Sequence, residues 1–307
     1  MKAVVIKSTG SWYILLAEDG LHYRARLRGK FKMQGLKVTN PIAVGDNVVF
    51  EIEAAGDGVG SITEIVPREN YIIRKSVHKA HQGHLIASNI DQTVLIVTMH
   101  QPRTSLGFID RFLVSAEAFR IPAILIFNKV DLYSAETAAE MEATIALYQK
   151  IGYKSIRTSV VDGFGIEELR DNLTNKKTLF SGHSGVGKSS LLNKLDTQLT
   201  LRTAEVSSYA DKGVHTTTFA EMFPLAPNTY AIDTPGIKEL GIFEIGDDEL
   251  SHYFPEMRNL LGQCKFHNCR HINEPKCAVL EHVHAGEIAV SRYESYLSML
   301  ANSDTHR

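Results

Sequence analysis

Short apolar runs separated by turn residues fill the first part of the chain, and no helical period appears among them. Four of these runs have the length of strands, namely residues 3–6, 12–16, 48–52 and 60–65. A small five-stranded barrel fits this length and pattern. We therefore predict a barrel domain over residues 1–68.

From residue 69 onward the pattern changes to apolar strands that alternate with helical segments. A buried strand is predicted over 90–98, and helices are predicted over 106–119 and 135–150, the second capped by Ser134. Strands that alternate with helices form parallel sheets covered on both faces. The sequence therefore predicts a doubly covered α/β domain after the barrel.

A glycine-rich segment after the apolar residues 177–181 matches the phosphate-binding pattern G-x-x-x-x-G-K-[ST] at every fixed position. Its residues are Gly182, His183, Ser184, Gly185, Val186, Gly187, Lys188 and Ser189. Glycines allow backbone N–H groups to converge on phosphate oxygens, and the start of the following helix adds a partial positive charge. We expect Lys188 to contact the β- and γ-phosphates and Ser189 to place its hydroxyl on Mg²⁺. The alternative is a glycine-rich connector.

The base that accompanies these phosphates is predicted from a second motif, which follows the apolar strand at residues 121–127. The motif consists of Asn128, Lys129, Val130 and Asp131. The Asp131 carboxylate can accept hydrogen bonds from guanine N1–H and N2–H₂ together, which adenine cannot offer. We expect Asn128 and Lys129 to hold this loop and cover the ring, and Ser159 and Val160 to complete the base pocket. A polar turn that merely closes a strand is the alternative.

The remaining nucleotide contacts are predicted downstream of the phosphate loop. Asp233, after the strand-like residues 230–232, is suited to hold Mg²⁺ through water, and the Gly236 N–H can meet the γ-phosphate. Thr217, in a threonine triplet, offers a hydroxyl of the kind that a switch loop closes on Mg²⁺. Periodicity fails over 200–219, which a nucleotide-ordered switch loop would explain; a disordered connector is the alternative.

Cations in the predicted barrel fall on alternate positions, so a strand would place them all on one face. They are His22, Arg24, Arg26, Arg28, Lys30 and Lys32. A phosphate backbone is the natural partner of such a face, and OB barrels commonly bind oligonucleotides. The alternative is an edge strand that uses its charge against aggregation.

All three cysteines lie within residues 264–277, in a polar loop that also holds two histidines. Three thiolates and one imidazole form a closed tetrahedral Zn²⁺ site, which is structural because no position stays open for substrate. Cys264, Cys269 and Cys277 are the thiol ligands, and either His267 or His271 can supply the nitrogen. An amphipathic helix is predicted to follow over 286–300.

The overall composition bears on the location of the protein and on its partners. The net charge of −2 does not by itself indicate binding to nucleic acid. No run of about 18 apolar residues predicts a membrane span, and no signal peptide opens the chain. An odd number of clustered cysteines argues against a secreted disulfide scaffold. We expect a cytoplasmic protein without a membrane partner.

The order of the motifs is unusual. The guanine motif precedes the phosphate loop, whereas GTPases of the usual topology place it near the end, so the domain is circularly permuted. This arrangement, with the barrel before it and the cysteine loop after it, resembles the RsgA family of ribosome-biogenesis GTPases, also called YjeQ or YloQ, over the whole chain.

The resemblance implies an OB-type barrel, a circularly permuted P-loop GTPase domain and a C-terminal helical zinc-binding domain, which we expect over 1–68, 69–243 and 244–307. It implies GTP or GDP, Mg²⁺ and one structural Zn²⁺ as cofactors, with His271 as the nitrogen ligand. It also implies hydrolysis of GTP stimulated by the small ribosomal subunit, contact with rRNA, and late subunit maturation. We expect a monomer.

The hydrolytic residue is predicted from an absence, since Ile237 stands where Ras-like enzymes place a water-orienting glutamine. The substitute that we predict in the switch loop is His215. The family has Gly-Arg-His here and this chain has Gly213, Val214 and His215, so the histidine is kept and the arginine is lost. A solvent-exposed histidine without a role in catalysis is the alternative.

Two other functions fit part of the pattern. One is a GTP-sensing RNA-binding module whose hydrolysis is incidental. The other is an ATP-dependent enzyme with a chance guanine motif, which Asp131 opposes. A GTPase assay with and without ribosomal subunits separates the first of these from a subunit-stimulated GTPase.

Overall fold

The first domain is a closed barrel of five strands. The structure is a computed structural model that describes residues 1–28, 40–53, 59–75, 83–196, 220–233 and 245–301. The barrel strands are β1 (Lys2–Ser8), β2 (Tyr13–Ala17), β3 (His22–Leu27), β4 (Asn47–Ile52) and β5 (Gly60–Ile65). Pairing of β1 with both β2 and β4 closes the barrel around a core that includes Leu15, Phe50 and Ile62. The predicted barrel is confirmed.

Strand β3 carries the alternating cations. His22, Arg24 and Arg26 are exposed, whereas Ala25 between them is fully buried, so the period-two pattern has the predicted effect. β3 pairs with β2 on one side and β5 on the other. The edge-strand alternative is therefore wrong, because β3 has a neighbour on each side. Lys30 and Lys32 lie outside the described residues.

The central domain is a doubly covered α/β sheet, as predicted. Its elements are β6 (Tyr71–Lys75), β7 (Gly83–Ser88), β8 (Gln92–Val97), α1 (Leu106–Ala118), β9 (Ala123–Asn128), α2 (Ala135–Ile151), β10 (Lys154–Thr158), α3 (Ile166–Leu173), β11 (Lys177–Gly182), α4 (Lys188–Leu195), β12 (Glu221–Ala226) and β13 (Thr229–Asp233). Strands β10, β9, β8, β11 and β13 are parallel neighbours in that order, and β12 joins β13 antiparallel.

Both faces of the parallel sheet are covered, which explains the continuous apolar runs in its strands. Every residue of β8 is buried. Helices α1 and α2 pack on one face in a core with Leu95 and Phe127, and α3 and α4 pack on the other with Ile96 and Phe180. Ser134 caps α2 as predicted, because its side chain accepts from the Thr137 N–H.

The barrel and the parallel sheet form one sheet of eleven strands. Lys7 of β1 lies opposite Glu221 of β12, and Glu221 lies opposite Asp233 of β13. Lys7 Nζ and Glu221 Oε2 are 2.8 Å apart. The first domain is therefore joined to the central one by backbone pairing as well as by side chains.

The C-terminal domain is helical. It contains a 3₁₀ turn (Leu250–Tyr253), α5 (Pro255–Arg258), α6 (Ala278–His284) and α7 (Val290–Leu300). Helix α7 begins at Val290 rather than at residue 286, and Ile288 is buried just before it. The core of the C-terminal domain includes Phe254, Val279 and Tyr296, together with Val114 of α1. Among the described residues, no helix is both long and apolar enough to span a bilayer.

Candidate nucleotide site and metal centre

The phosphate loop connects β11 to α4 at the carboxyl end of the parallel sheet. Gly182, Gly185 and Gly187 have φ values of 154°, 86° and 94°, in the region that favours glycine. A Cβ at Gly187 would lie 2.5 Å from Asn128 Nδ2, so this position also has no room for a side chain. No side chain caps the start of α4 at Gly187. Its first N–H groups therefore suit an anion such as phosphate.

The guanine motif is hydrogen-bonded directly to the phosphate loop. Asn128 is 1% exposed, and its Nδ2 donates to the Val186 carbonyl at 2.8 Å. The Thr158 hydroxyl donates to Asn128 Oδ1 at 3.0 Å, which fixes the orientation of the amide. Thr158 lies opposite Asn128 in the β9–β10 register. Asn128 therefore holds the loop in place from inside the protein, as its residue type predicts.

Lys129 crosses from the guanine motif to the phosphate loop. Its backbone is left-handed, with φ at 65°, and its Nζ donates to the carbonyls of Gly185 at 2.7 Å and Gln101 at 2.8 Å. Burial lowers the pKa of Lys129, although the nearby Asp131 carboxylate acts in the opposite direction. The ammonium group of Lys129 thus links the guanine motif to the phosphate loop.

Tyr133 holds the guanine motif through its hydroxyl group. Its hydroxyl donates to the Asn128 carbonyl at 2.6 Å and accepts from the Met99 N–H at 2.9 Å. Sequence reasoning missed Tyr133 and Gln101 as supporting residues. The only available signal was their position after predicted strands, since Gln101 follows β8 and Tyr133 follows β9.

The base end of the site collects the other predicted residues. Asp131 is exposed in a 3₁₀ turn (Val130–Leu132) directly after β9. Ser159 is fully buried and Val160 partly buried directly after the neighbouring strand β10. The carboxyl ends of adjacent parallel strands lie at one edge of the sheet, so these residues lie at the same edge as the phosphate loop.

The phosphate end brings Lys188 and Asp233 together. They form a largely buried ion pair between Lys188 Nζ and Asp233 Oδ1. β11 and β13 are neighbours, with Phe180 opposite Asp233 in the register. Ser189 is half-buried and Ser184 exposed. Thr217, Gly236 and His215 lie outside the described residues.

His183 has an aromatic neighbour that the sequence did not predict. The imidazole lies against the ring of Phe108 in α1, with ring centroids 3.8 Å apart. Phe108 is in the first turn of α1, which Ser105 caps by accepting from the Phe108 N–H. The phosphate loop therefore packs against the first turn of helix α1.

The three cysteines and His271 converge in the C-terminal domain. Their ligand atoms all lie within 4.8 Å of one another. Cys264 Sγ is 3.9 Å from Cys277 Sγ and 3.6 Å from His271 Nδ1, which is 3.3 Å from Cys277 Sγ. A tetrahedral ion with bonds of about 2.3 Å to sulfur and 2.0 Å to nitrogen separates its ligand atoms by roughly 3.5–3.8 Å. The donor set and its spacing therefore fit Zn²⁺.

Two observations separate His271 from its rival and explain why the site needs a cation. His267 is exposed and outside the group, whereas His271 is buried within it. Burial raises the pKa of the Cys269 thiol to about 12 and also raises the pKa of Cys277. Three thiolates at this spacing therefore need a cation to stay deprotonated.

The loop around the metal ligands is held by its own polar groups. Glu274 accepts from the backbone N–H groups of Arg270 and Ile272, each at 2.7 Å. Tyr293 donates to the His271 carbonyl and Tyr296 to the Arg270 carbonyl, both at 2.7 Å. Both tyrosines belong to α7, so the ligand loop and the last helix stabilise each other.

Comparisons with known proteins agree over the whole chain. The RsgA GTPase family model matches residues 65–243, and the RsgA N-terminal domain model matches residues 2–59. A small ribosomal subunit biogenesis GTPase RsgA from Cytophaga hutchinsonii is 57% identical over 307 residues, covering 100% of both chains. The same-named protein of Christiangramia forsetii is 50% identical over 99% of this chain and 97% of its own.

Two solved structures share the fold. YjeQ from Thermotoga maritima is 35% identical, with a TM-score of 0.79 over 100% of this chain and 99% of that one. YloQ, described as a circularly permuted GTPase, is 31% identical, with a TM-score of 0.74 over 98% and 94%. These matches agree with the permuted order of the motifs and with the site that the motifs form. The chain therefore belongs to the RsgA family of GTPases.

Proposed function

We propose that this protein hydrolyses GTP while bound to the small ribosomal subunit and its rRNA, that it assists late maturation of the subunit, and that the subunit stimulates hydrolysis. One observation carries the nucleotide assignment: Asn128 and Lys129 both donate to carbonyls of the phosphate loop. Base and phosphates are therefore bound by one rigid unit. The ribosomal assignment is supported by relatives named for small ribosomal subunit biogenesis.

Four residues of the site that the structure describes have a task in this reaction. Asp131 accepts from the guanine edge, and Lys188 neutralises charge on the β- and γ-phosphates. Asp233 and Ser189 would hold Mg²⁺, Asp233 through water. Mg²⁺ held there would supply positive charge against the charge that develops on the phosphates during hydrolysis. GTP or GDP, Mg²⁺ and one structural Zn²⁺ are the cofactors of this enzyme.

Three further residues complete the proposal. Thr217 would hold Mg²⁺, the Gly236 N–H would donate to the γ-phosphate, and a neutral His215 would orient the attacking water. Ordering of the switch loop by rRNA would make hydrolysis depend on the subunit, so turnover without the subunit should be slow.

The exposed face of β3 is the proposed rRNA contact. Arg24 lies over the Trp12 ring, 3.9 Å from its centroid, which combines a cation with an aromatic surface suited to nucleotides. Arg26 pairs with Glu53 and Arg28 with Glu51, all four at the surface. Exposed pairs of this kind are weak enough to exchange for phosphate.

The domain boundaries, the oligomeric state and the cellular location are also part of this proposal. We propose domains over 1–68, 69–243 and 244–307, a monomer, and a cytoplasmic location. The family matches support the first division, since one ends at residue 59 and the next begins at residue 65. The cytoplasmic location follows from the proposed ribosomal substrate.

Replacement of Asp131 by Asn tests the base pocket. Hydrogen bonds to a charged acceptor are worth about 1.5–3 kcal/mol each, so we expect GTP affinity to fall at least tenfold. Xanthosine triphosphate, which presents a carbonyl at position 2, should bind the variant better than GTP. Calorimetry with both nucleotides measures this, with Asp171→Asn, an exposed carboxylate on α3, as the control. Unchanged GTP binding by Asp131→Asn would refute the assignment.

Steady-state GTP hydrolysis with and without purified small subunits tests the complete proposal. We expect the subunit to raise turnover at least tenfold, and His215→Ala to abolish this rise while sparing binding of GTP and subunit. If the subunit binds but leaves turnover unchanged, the protein is a GTP-sensing RNA-binding module. If His215→Ala stays within about twofold of the unmutated enzyme, well under 1 kcal/mol of barrier, His215 is not the hydrolytic residue.

A further inference from the structure

Helix α1 is shared by two domains. Phe112 and Leu113 belong to the core between α1 and the parallel sheet. Val114 belongs to the core of the C-terminal domain. Asp110 and Glu117 lie four residues before and three residues after Val114, so these three residues form one face of the helix. That face is the surface on which the C-terminal domain packs.

A buried charge network fixes this contact. Arg292 of α7 is 1% exposed and Asp110 is fully buried, and Arg292 Nη1 donates to Asp110 Oδ1 at 2.7 Å. Arg292 Nε also donates to Glu256 Oε1 at 2.7 Å, and the Tyr148 hydroxyl donates to Asp110 Oδ1 at 2.7 Å. Burial alone lowers the pKa of Arg292, but the two carboxylates raise it above its usual value. The network therefore joins charged groups from α1, α5 and α7.

Such a network specifies an arrangement more than it adds stability. Well-packed apolar residues can often replace a buried ion pair without lowering the stability of the fold. Removal of one partner alone lowers the stability strongly, because the other charge remains buried and unpaired. Asp110 Oδ2 is buried and has no hydrogen-bond partner among the described residues. Because hydrogen bonds weaken steeply when their geometry changes, a small displacement of α7 or α5 would alter the contacts of Asp110.

The first turn of α1 contacts the nucleotide site. Phe108, two residues before Asp110, lies against His183 of the phosphate loop with ring centroids 3.8 Å apart. Gln101, in the segment that leads into α1, accepts from Lys129 of the guanine motif. Both halves of the nucleotide site are thus in contact with the start of α1 or the segment before it.

We propose that α1 couples the nucleotide site to the C-terminal domain, with Phe108 as a positioning residue for the phosphate loop and the Arg292–Asp110–Glu256 network as the attachment of the C-terminal domain. This inference rests on the proposed nucleotide site. Coupling is reciprocal, so bound nucleotide restrains α5 and α7, and a partner that moves the C-terminal domain changes nucleotide affinity.

Amide hydrogen exchange of the full zinc-loaded chain, with and without GDP and Mg²⁺, tests the coupling. We expect GDP to slow exchange in α5 and α7. Phe108→Leu removes the ring contact with His183 but leaves the charge network intact, so at saturating GDP the slowing in α5 and α7 should be lost. Phe119→Leu is the matched control, because Phe119 follows the other end of α1 and packs on Tyr71; it should keep the response.

The affinity for GDP in variants of the charge network gives a second test of the coupling. Asp110→Asn keeps the shape of the side chain and removes its charge, and we expect the Kd for GDP to change at least fivefold. Glu117→Gln weakens a partly exposed pair with Arg258 on the same face of α1 and keeps an acceptor for the Tyr153 hydroxyl, so it should change this Kd less than twofold. The coupling is refuted if GDP leaves exchange in α5 and α7 unchanged, or if Phe108→Leu keeps the full response. Failure of the unmutated chain to bind GDP would instead refute the nucleotide site.

Discussion

Each outer domain meets the central domain at a buried aspartate that is paired with an arginine, but the two aspartates differ in how fully they are hydrogen-bonded. Asp46 of the barrel accepts from Arg68 Nε and Nη2 and from Ser88 Oγ, each at 2.6 Å, and from the Ala43 N–H at 2.8 Å. Asp110 accepts through one oxygen only, and its second oxygen has no partner within the described ranges. The barrel contact is therefore the more fully satisfied of the two.

Backbone pairing widens this difference. Lys7 of β1 pairs with Glu221 of β12, and the chain near Asp46 forms a parallel bridge between Val44 and Ala87. The C-terminal domain instead packs on α1 through side chains, with Arg292 between Asp110 and Phe254. We infer that the barrel is held in a fixed position and that the position of the C-terminal domain depends on a few side chains.

Zinc removal should give the largest effect. Structural zinc contributes roughly 10–16 kcal/mol in small modules, so a zinc-selective chelator should unfold residues 245–301. The barrel has no metal ligand in this group and should remain folded. Trp12, the single tryptophan of the chain, reports on the barrel by fluorescence, and hydrogen exchange reports on the C-terminal helices.

Restoration of zinc is the control and should return the slow exchange of α7. If Trp12 emission changed together with the C-terminal helices, the two domains would not be independent. If metal analysis of the purified chain gave no zinc, the role of Cys264, Cys269, His271 and Cys277 would be refuted.

Replacement of each buried arginine by methionine should give the next largest effect. Breaking a buried pair costs about 3–5 kcal/mol, and we expect Arg292→Met to lie at the upper end, because Asp110 retains only Tyr148. Arg68→Met should cost less, since Asp46 retains Ser88 and the Ala43 N–H. Urea unfolding measures both. Addition of Asp110→Asn to Arg292→Met should recover part of the loss, and no recovery would contradict the unpaired charge as its cause.

Lys7→Ala should give the smallest effect. The pair with Glu221 is partly exposed, and exposed pairs are worth about 0.2–1 kcal/mol. Backbone pairing of β1 with β12 does not depend on this side chain. Urea unfolding followed by Trp12 fluorescence should therefore show a loss below about 1 kcal/mol that decreases further in high salt. A loss above about 2 kcal/mol would mean that the side chains, and not the backbone, hold the barrel in place.

The sequence predicted the elements whose signals are local. Fixed spacing identified the phosphate loop, and the alternation around Ala25 predicted the outer face of β3. Five of the helices and strands were missed: β7, α3, β12, α5 and α6. Helix α3 had an available signal, since Ile166, Leu169 and Leu173 are spaced as a buried helical stripe. β12 contains Pro224, which weakens a strand prediction because proline cannot donate a backbone hydrogen bond to a sheet.

The contacts that orient the site were beyond local signals. Asp110 and Arg292 are 182 residues apart, and nothing near either residue indicates a buried partner. Both are charged residues on amphipathic helices, where an exposed position is the default expectation. Thr158 is similar, because only the β9–β10 register places its hydroxyl on the Asn128 amide.

The distance along the chain between Asp110 and Arg292 also matters while the protein is being synthesised. Domains fold roughly in the order in which they emerge, so the parallel sheet and α1 can form before α7 exists. Until then the face of α1 around Asp110 and Val114 has no cover. A chain that stops before α7 would keep an apolar helix face and an unpaired carboxylate on its surface. Transiently exposed apolar surface of this kind favours aggregation, and docking of α7, with Arg292 on Asp110, ends the exposure.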